Sequence, residues 1–96
     1  MTEPESNPVR RHVLYQGRVQ GVCFRATAHD LSRDCRVVGY VRNMPDGTVE
    51  LEAEGEPAEV DRFLASVQRC FQRNIRDAHV TDLPASGDEQ EFRIRY

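Results

Sequence analysis

"VVGYVRNMPDGTVELEAE" (residues 37–54) is typical of a β-hairpin. Residues 37–43 are rich in β-branched and aromatic side chains, which favour strands. Asp46 and Gly47 then form a strong turn signal. After the turn, apolar residues alternate strictly with glutamates, which predicts a half-buried antiparallel strand. The residues expected inside are Val49, Leu51 and Ala53, and those expected on a solvated sheet face are Glu50, Glu52 and Glu54.

A strand and a helix are predicted before the hairpin, and a second helix after it. Residues 11–16 are typical of a strand that ends at Gly17. From about Val22 to Cys35 the apolar residues recur at helical spacing. A second helix is predicted to begin near Pro57, because proline is favoured in the first turn. The apolar stripes are Phe24, Ala28, Leu31 and Cys35 in the first helix and Val60, Phe63, Leu64, Val67 and Phe71 in the second.

Strands predicted at 77–83 and 91–96 complete a β-α-β-β-α-β order with a short additional strand. This order predicts an α+β fold of the ferredoxin-like split βαβ type, with a mostly antiparallel sheet covered on one face by two helices. In that plan the first two strands run parallel on either side of the third. Their C-terminal ends therefore meet at one edge of the sheet, and the loop at 17–23 is expected near Asn43.

The composition predicts one small domain. The chain has 96 residues, of which 39% are apolar and 30% charged, which is enough for a single modest core. Residues 9–96 are predicted to form this domain. Residues 1–8 are polar with two prolines and are predicted to be a flexible tail.

Charge and cysteine use restrict the location and the partners. A net charge of −3 argues against a nucleic-acid partner held by bulk electrostatics. No apolar run approaches the roughly 20 residues of a membrane span, and no secretory signal is recognised. Cys23, Cys35 and Cys70 are odd in number and widely spaced, which favours free thiols in a reducing cytoplasm.

"GRVQGVCFR" (residues 17–25) lies where the first strand passes into the first helix. A turn that leads into a helix presents backbone N–H groups without intrahelical acceptors, and the helix dipole adds positive charge there. Gly21 allows the backbone to approach a ligand, and Arg25 supplies a guanidinium suited to two phosphate oxygens. The stretch is thus interpreted as a phosphate-binding loop. The alternative is an ordinary turn whose glycines only relieve strain and whose arginine is solvated.

Established phosphate motifs are absent from this stretch. A Walker A loop needs a lysine after its second glycine, and a dinucleotide-binding loop needs G-x-G-x-x-G. A cysteine-dependent phosphatase needs an arginine six residues after its cysteine, but His29 stands six residues after Cys23. Cys23 is therefore interpreted as a small loop residue and not as a nucleophile. His12 and His79, like His29, show no metal-ligand spacing in the sequence, and no metal or cofactor is expected.

Residues 17–25, together with "GYVRNMPDGTVELEAEG" (39–55), resemble the acylphosphatase family, and "FRIRY" (92–96) is similar as well. The resemblance implies a ferredoxin-like fold and hydrolysis of carboxyl-phosphate bonds to a carboxylate and inorganic phosphate. It also implies that Arg25 binds phosphate and that Asn43 holds the attacking water. The implied phosphate-binding loop comprises Gln20, Gly21, Val22, Cys23, Phe24 and Arg25.

Two departures from the family pattern concern the loop and the connection after the second helix. Cys23 occupies a variable loop position, and "CFQRNIRDAHV" (70–80) lacks the Gly-Pro that often follows the second helix. The expected partners are a small acyl phosphate as substrate and inorganic phosphate as product and inhibitor, with the protein acting as a monomer.

Other classes of protein share this fold. An RNA-recognition sheet would show exposed aromatic residues in place of glutamates, and a metal chaperone would show C-x-x-C. Neither is present. A non-catalytic phosphate-binding regulatory module remains the alternative to an acylphosphatase, and release of phosphate from an acyl phosphate distinguishes the two.

Overall fold

The computed structural model describes residues 7–96 and contains the predicted order of elements. The elements are β1 Val9–Gly17, α1 Phe24–Ser32, β2 Val38–Asn43, β3 Val49–Gly55, α2 Pro57–Cys70, β4 Ile75–Leu83 and β5 Phe92–Arg95. Most of the predicted tail, residues 1–6, lies outside the described residues. Within the described part, neither helix is long and apolar enough to cross a membrane.

The five strands form one sheet in the order β4-β1-β3-β2-β5. β3 lies between β1 and β2 and is antiparallel to both, and β4 is antiparallel to β1. Among the strands of residues 7–96 only the pairing of β2 with β5 is parallel, so the prediction of a mostly antiparallel ferredoxin-like sheet is confirmed. The C-terminal ends of β1 and β2 consequently lie at the same edge of the sheet.

The core lies between the helices and one face of the sheet. Aromatic rings link the elements, because Phe24 of α1 stacks on Phe71 at 4.4 Å between ring centroids and lies 5.0 Å from Tyr15 of β1. Phe63 of α2 meets Phe92 of β5 edge to face at 5.1 Å. The hairpin residues predicted to face inward, Val49, Leu51 and Ala53, are fully buried.

The first helix is shorter than the predicted 22–35. It begins at Phe24 because the preceding Cys23 has a left-handed backbone with φ +62°, which a helix cannot include. After Ser32 the backbone tightens into i→i−3 hydrogen bonds, the last of them from the Cys35 N–H to the Ser32 oxygen at 3.1 Å. Cys35 remains buried, so the apolar stripe persists although the α-helix has ended.

The prediction of a solvated glutamate face is wrong. The Glu50, Glu52 and Glu54 side chains are only 12%, 14% and 6% exposed. The physical reason is the strand register, which places Arg10 and His12 beside these carboxylates on β1, and Tyr40 and Arg42 beside them on β2. Basic and phenolic side chains from both neighbouring strands therefore cover the row of glutamates.

Arg10 is the centre of this polar face. Its Nε donates to Glu52 Oε1 at 2.6 Å, and its Nη1 donates to Glu54 Oε1 at 2.9 Å and to Glu89 Oε1 at 2.6 Å. Glu89 belongs to the β4–β5 connection. Ser86 in the same connection donates its backbone N–H to Glu54 at 2.9 Å, and the next residue does the same at 2.9 Å. The buried carboxylates thus fasten this connection onto the sheet.

Two carboxylates of the polar face, Glu50 and Glu54, have a lowered pKa and are held in their charged form. Burial alone would raise the pKa of Glu54, but the N–H groups of Ser86 and Gly87 and the Arg10 guanidinium outweigh it and lower that pKa below its ordinary value of 4.5. The pKa of Glu50 is also lowered, since burial is opposed by hydrogen bonds from His12 and Arg42. Because folding lowers these pKa values, the two ionised carboxylates stabilise the folded state fully above pH 4.5. This contribution is lost as the pH falls through their folded-state pKa values.

We expect Glu54→Gln to make stability less sensitive to acid. At neutral pH the variant loses a charged acceptor that serves four donor groups, and its free energy of unfolding should fall by about 1–3 kcal/mol. Between pH 7 and pH 3 it should then lose less stability than the parent chain, because one titrating carboxylate is gone. Urea unfolding at several pH values measures both effects.

Glu91→Gln is the matched control, because the Glu91 side chain is 66% exposed and forms an ion pair with Arg93 at 3.2 Å. An exposed ion pair of this kind contributes little. The control should therefore follow the parent chain at every pH. Equal acid sensitivity of Glu54→Gln and the parent chain would contradict the importance of the network.

Candidate active site

The connection between β1 and α1, residues 18–23, is here called the anion loop. Gly17, which precedes the loop, and Gly21, which lies within it, have different roles. Gly17 ends β1, and a Cβ added to it would collide with the carbonyl oxygen of Asn74, the residue before β4. Gly17 therefore permits a close approach of two backbones. Gly21 has φ +76° and no atom within 4 Å of an added Cβ, so it is needed for its left-handed conformation alone.

The anion loop ends at the N-terminus of α1. The first intrahelical hydrogen bond there runs from the Thr27 N–H to the Cys23 oxygen at 2.9 Å. The N–H groups of Phe24, Arg25 and Ala26 have no acceptor within the helix, and the Cys23 side chain caps none of them. Together with the helix dipole, these free donors favour an anion.

A pocket of about 170 Å³ opens at this helix end. Its lining residues are Val19, Gly21, Cys23, Phe24, Arg25, Ala26, Asn43, Ile94 and Tyr96. The pocket is smaller than a typical drug-sized cavity. Its size and its donors are suited to a small anionic group. The structure thus brings Arg25 and Asn43, which are 18 positions apart in the sequence, to one site.

Arg25 is a half-buried cation in the first turn of α1. Among residues 7–96 it makes no ion pair with a carboxylate. Its guanidinium carbon instead lies 4.8 Å from the centroid of the Tyr96 ring. The N–H donors of a guanidinium lie in its own plane. Contact with an aromatic face therefore leaves them available for a ligand. Arg25 can therefore offer a bidentate contact to a phosphoryl group.

Asn43 is the last residue of β2 and pairs with Val49 of β3. Its Oδ1 atom is buried and accepts no hydrogen bond from the described residues. A buried acceptor without a donor costs about 1–3 kcal/mol, so such a group demands a partner. A water molecule in the pocket can donate to Oδ1, and this contact would fix the orientation of that water.

The loop residues predicted for phosphate binding are not equivalent in the structure. Gly21, Cys23, Phe24 and Arg25 line the pocket. Val22 packs against the core, and the Gln20 side chain is bonded to the carbonyl oxygens of Met44 and Thr48. Neither of these two lines the pocket.

Tyr96 is a pocket residue that the sequence reasoning missed. β5 runs parallel to β2 with Arg95 opposite Arg42, so the next residue, Tyr96, comes to lie beside Asn43. Its side chain is exposed, and the resemblance of "FRIRY" to the family assigned it no role. The missing information was the strand pairing, because a parallel partner for β2 fixes which residue of β5 reaches the sheet edge.

The fold also assembles a group that the sequence spacing did not show. Potential metal-ligand atoms of His12, Glu50 and Glu52 lie within 4.8 Å of one another. The group lies on the polar face of the sheet, away from the pocket. Its carboxylate oxygens are already bonded to His12, Tyr40 and the two arginines, Arg10 and Arg42. In this arrangement the group is an ion-pair network.

Comparison with known proteins gives one consistent family. Residues 11–94 match the sequence profile of the acylphosphatase family. An acylphosphatase from Anaeromyxobacter sp. (strain Fw109-5) is 46% identical over 92 residues, which cover 91% of this chain and 95% of the relative. One from Methylococcus capsulatus is 41% identical over 88% of this chain and 94% of the relative. The crystal structure of acylphosphatase from Bacillus subtilis superimposes with a TM-score of 0.81 at 28% identity, over 92% of this chain and 99% of that one.

We expect Gly21→Ala to weaken the binding of inorganic phosphate. The added methyl group has free space, so the change strains only the left-handed backbone that presents the loop amides, at about 1–2 kcal/mol. Relaxation of that strain moves the amides, and the Kd for phosphate should rise several-fold. Titration calorimetry measures the affinity, and thermal unfolding measures the stability.

Gly87→Ala is the matched control, because Gly87 has φ +71°, an equally open Cβ position and a place in the β4–β5 connection. It should lose similar stability and keep the phosphate affinity of the parent chain. Identical phosphate affinities of the two variants would contradict the assignment of the loop amides to the anion.

Proposed function

The chain belongs to the acylphosphatase family, and from this premise we propose that it hydrolyses the carboxyl-phosphate bond of small acyl phosphates to a carboxylate and inorganic phosphate. The observation that carries the proposal is the pocket itself. It combines free helix N–H groups, an arginine without an acidic partner among residues 7–96, and the orphaned Asn43 oxygen. An anion site beside a water-orienting acceptor is what hydrolysis of an acyl phosphate requires.

Arg25 and the backbone of the anion loop bind the phosphoryl group in this proposal. The guanidinium contacts two phosphoryl oxygens, and the N–H groups at the start of α1 contact the same group from the helix end. Charge develops on these oxygens in the transition state of phosphoryl transfer. Donors that are already in place stabilise that charge without reorganisation.

Asn43 orients the attacking water. Its Oδ1 accepts one hydrogen of the water, so that an oxygen lone pair faces the phosphorus opposite the carboxylate. As the bond from the water oxygen to phosphorus forms, the bond from phosphorus to the carboxyl oxygen breaks, and the leaving carboxylate keeps the electron pair. The proton of the water passes to a phosphoryl oxygen. A carboxylate leaves readily, so the reaction needs little acid or base assistance.

The proposed reaction uses no metal, no cofactor and no covalent intermediate. None of the residues that line the pocket within the described part of the chain is an aspartate, a glutamate or a histidine. Cys23 lines the pocket, but the proposed direct attack of water gives its thiol no role. The chemistry rests on positioning and on charge stabilisation.

The remaining proposals concern the state of the protein. We propose a cytoplasmic monomer formed by residues 9–96, without a nucleic-acid or membrane partner. All three cysteines are free, which is compatible with a reducing compartment. Among residues 7–96 the exposed large apolar side chains are Val80 and Tyr96, which lie on different strands or their ends and offer no broad apolar surface for association.

The decisive experiment is a phosphate-release assay on benzoyl phosphate in the presence of a chelator. We expect turnover well above the uncatalysed rate, with no dependence on added divalent ions. Binding of phosphate without any turnover would instead identify the non-catalytic regulatory module. Loss of turnover on chelation, restored by a divalent ion, would contradict the metal-free mechanism.

We expect inorganic phosphate to inhibit competitively, because product and substrate share the phosphoryl site. It should also raise the melting temperature, since the unfolded chain has no such site. Initial rates at several phosphate concentrations and a thermal-shift titration measure the two effects. Noncompetitive inhibition would place the phosphate elsewhere and contradict the proposed site.

Arg25→Ala and Asn43→Ala should have different kinetic signatures. Arg25→Ala removes a charge-assisted pair of hydrogen bonds worth roughly 2–5 kcal/mol, so phosphate affinity and turnover should both fall by at least about 25-fold. Asn43→Ala releases only the water, so kcat should fall by about a hundredfold or more while the phosphate Kd stays nearly constant.

Arg18→Ala is the matched control, because Arg18 is an exposed arginine of the anion loop that does not line the pocket. Removing the same charge there should leave the phosphate Kd within about twofold. Circular dichroism checks the fold of each variant. Normal turnover of Asn43→Ala, or normal phosphate binding by Arg25→Ala, would show that these roles are wrong.

A further inference from the structure

The Gln20 side chain joins the anion loop to the turn between β2 and β3. Its amide nitrogen lies 2.8 Å from the carbonyl oxygen of Met44 and 2.8 Å from that of Thr48, and it donates one hydrogen to each. Each carbonyl already accepts a backbone hydrogen bond. The Met44 oxygen accepts the Gly47 N–H at 3.1 Å, and the Thr48 oxygen accepts the Met44 N–H at 2.8 Å. Gln20 therefore donates to the second lone pair of each oxygen, at the two ends of the turn.

The anion loop keeps its shape by other contacts. The Arg18 N–H donates to the Asn74 oxygen at 2.9 Å, which fixes the loop at its start. Val19 within the loop and Phe24 immediately after it are buried in the core and anchor the loop on both sides of Gly21. Gln20, whose side chain does not line the pocket, is therefore not needed to form the phosphate site.

The β2–β3 turn depends more on Gln20. The turn begins immediately after Asn43, and its residues 45–47 are exposed. Within the described part of the chain, the other side-chain hydrogen bonds of this turn stay inside it, between Asp46 and Thr48. The Gln20 amide is thus the side-chain hydrogen-bond link that holds the turn to the loop.

We propose that Gln20 is a positioning residue that sets the distance between the anion loop and Asn43, and thereby aims the water at the phosphorus. This inference rests on the function proposed above, because it needs a phosphate on the loop and a water on Asn43. Without the link, the phosphate stays bound while the water loses its alignment. A displacement of about 1 Å at a reacting centre is enough to reduce a rate by about a hundredfold.

The test uses Gln20→Met, which keeps the length of the side chain and removes both donors. We expect kcat on benzoyl phosphate to fall by about 10- to 100-fold, with the Kd for inorganic phosphate changed by less than about twofold. Gln68→Met is the matched control, because Gln68 is exposed on α2, and it should leave both quantities unchanged. Hydrogen exchange should show faster opening of the Met44 and Gly47 amides in Gln20→Met only.

Two results would overturn the role of Gln20. If kcat and phosphate affinity fall together, Gln20 belongs to the phosphate site, and if neither changes, the link has no catalytic effect. Should Gln20→Met fail to fold by circular dichroism, Gln20→Asn, which retains an amide on a shorter side chain, provides the same comparison. If the parent chain itself releases no phosphate, the proposed function fails, and amide exchange at the turn then decides whether the link exists.

Discussion

The position of β3 between β1 and β2, antiparallel to both, is the constraint on which the site depends. Because β1 and β2 then point the same way, the anion loop after β1 and Asn43 at the end of β2 meet at one sheet edge. The parallel pairing of β5 with β2 adds Tyr96 at that edge. Arg25 belongs to the helix that starts there. The pocket thus follows from strand order, and its Arg25, Asn43 and Tyr96 lie at or next to the end of an element.

Because side chains alternate along each strand, one face of the sheet contributes to the core and the other carries the ion-pair network. On the inner face, β3 contributes Val49, Leu51 and Ala53 to the core. On the outer face, the same strand presents glutamates to basic residues of both neighbours, and Arg10 extends the network to the β4–β5 connection through Glu89. The outer face stabilises the region without entering the pocket. Changes in acid tolerance and changes in catalysis should therefore be separable by mutation.

Local patterns predicted the elements and part of the pocket, and long-range pairing determined the rest. The alternation in β3 and the glycines before Arg25 are properties of short stretches, so the hairpin and the anion loop were accessible from the sequence. The burial of Glu54 was not, because it depends on its pairing with Arg10, 44 positions away. Tyr96 and the bonding of Gln20 were missed for the same reason. The late start of the first helix, at Phe24 instead of Val22, depends on one dihedral angle, the positive φ of Cys23, which no side-chain pattern indicates.

The pairing of β1 also has a consequence for how the chain folds. In the sheet, Arg10 lies beside Glu54 on one side and beside Leu83 on the other. The first strand therefore closes loops of more than 40 and more than 70 residues, and contacts this distant in the sequence slow folding. β1 precedes both partner strands, β3 and β4, in the chain, so its pairing is completed only after both have been synthesised. The backbone edge of β1 that pairs with β4 therefore stays unpaired until β4 is available, and an unpaired strand edge of this kind exposes a folding intermediate to aggregation.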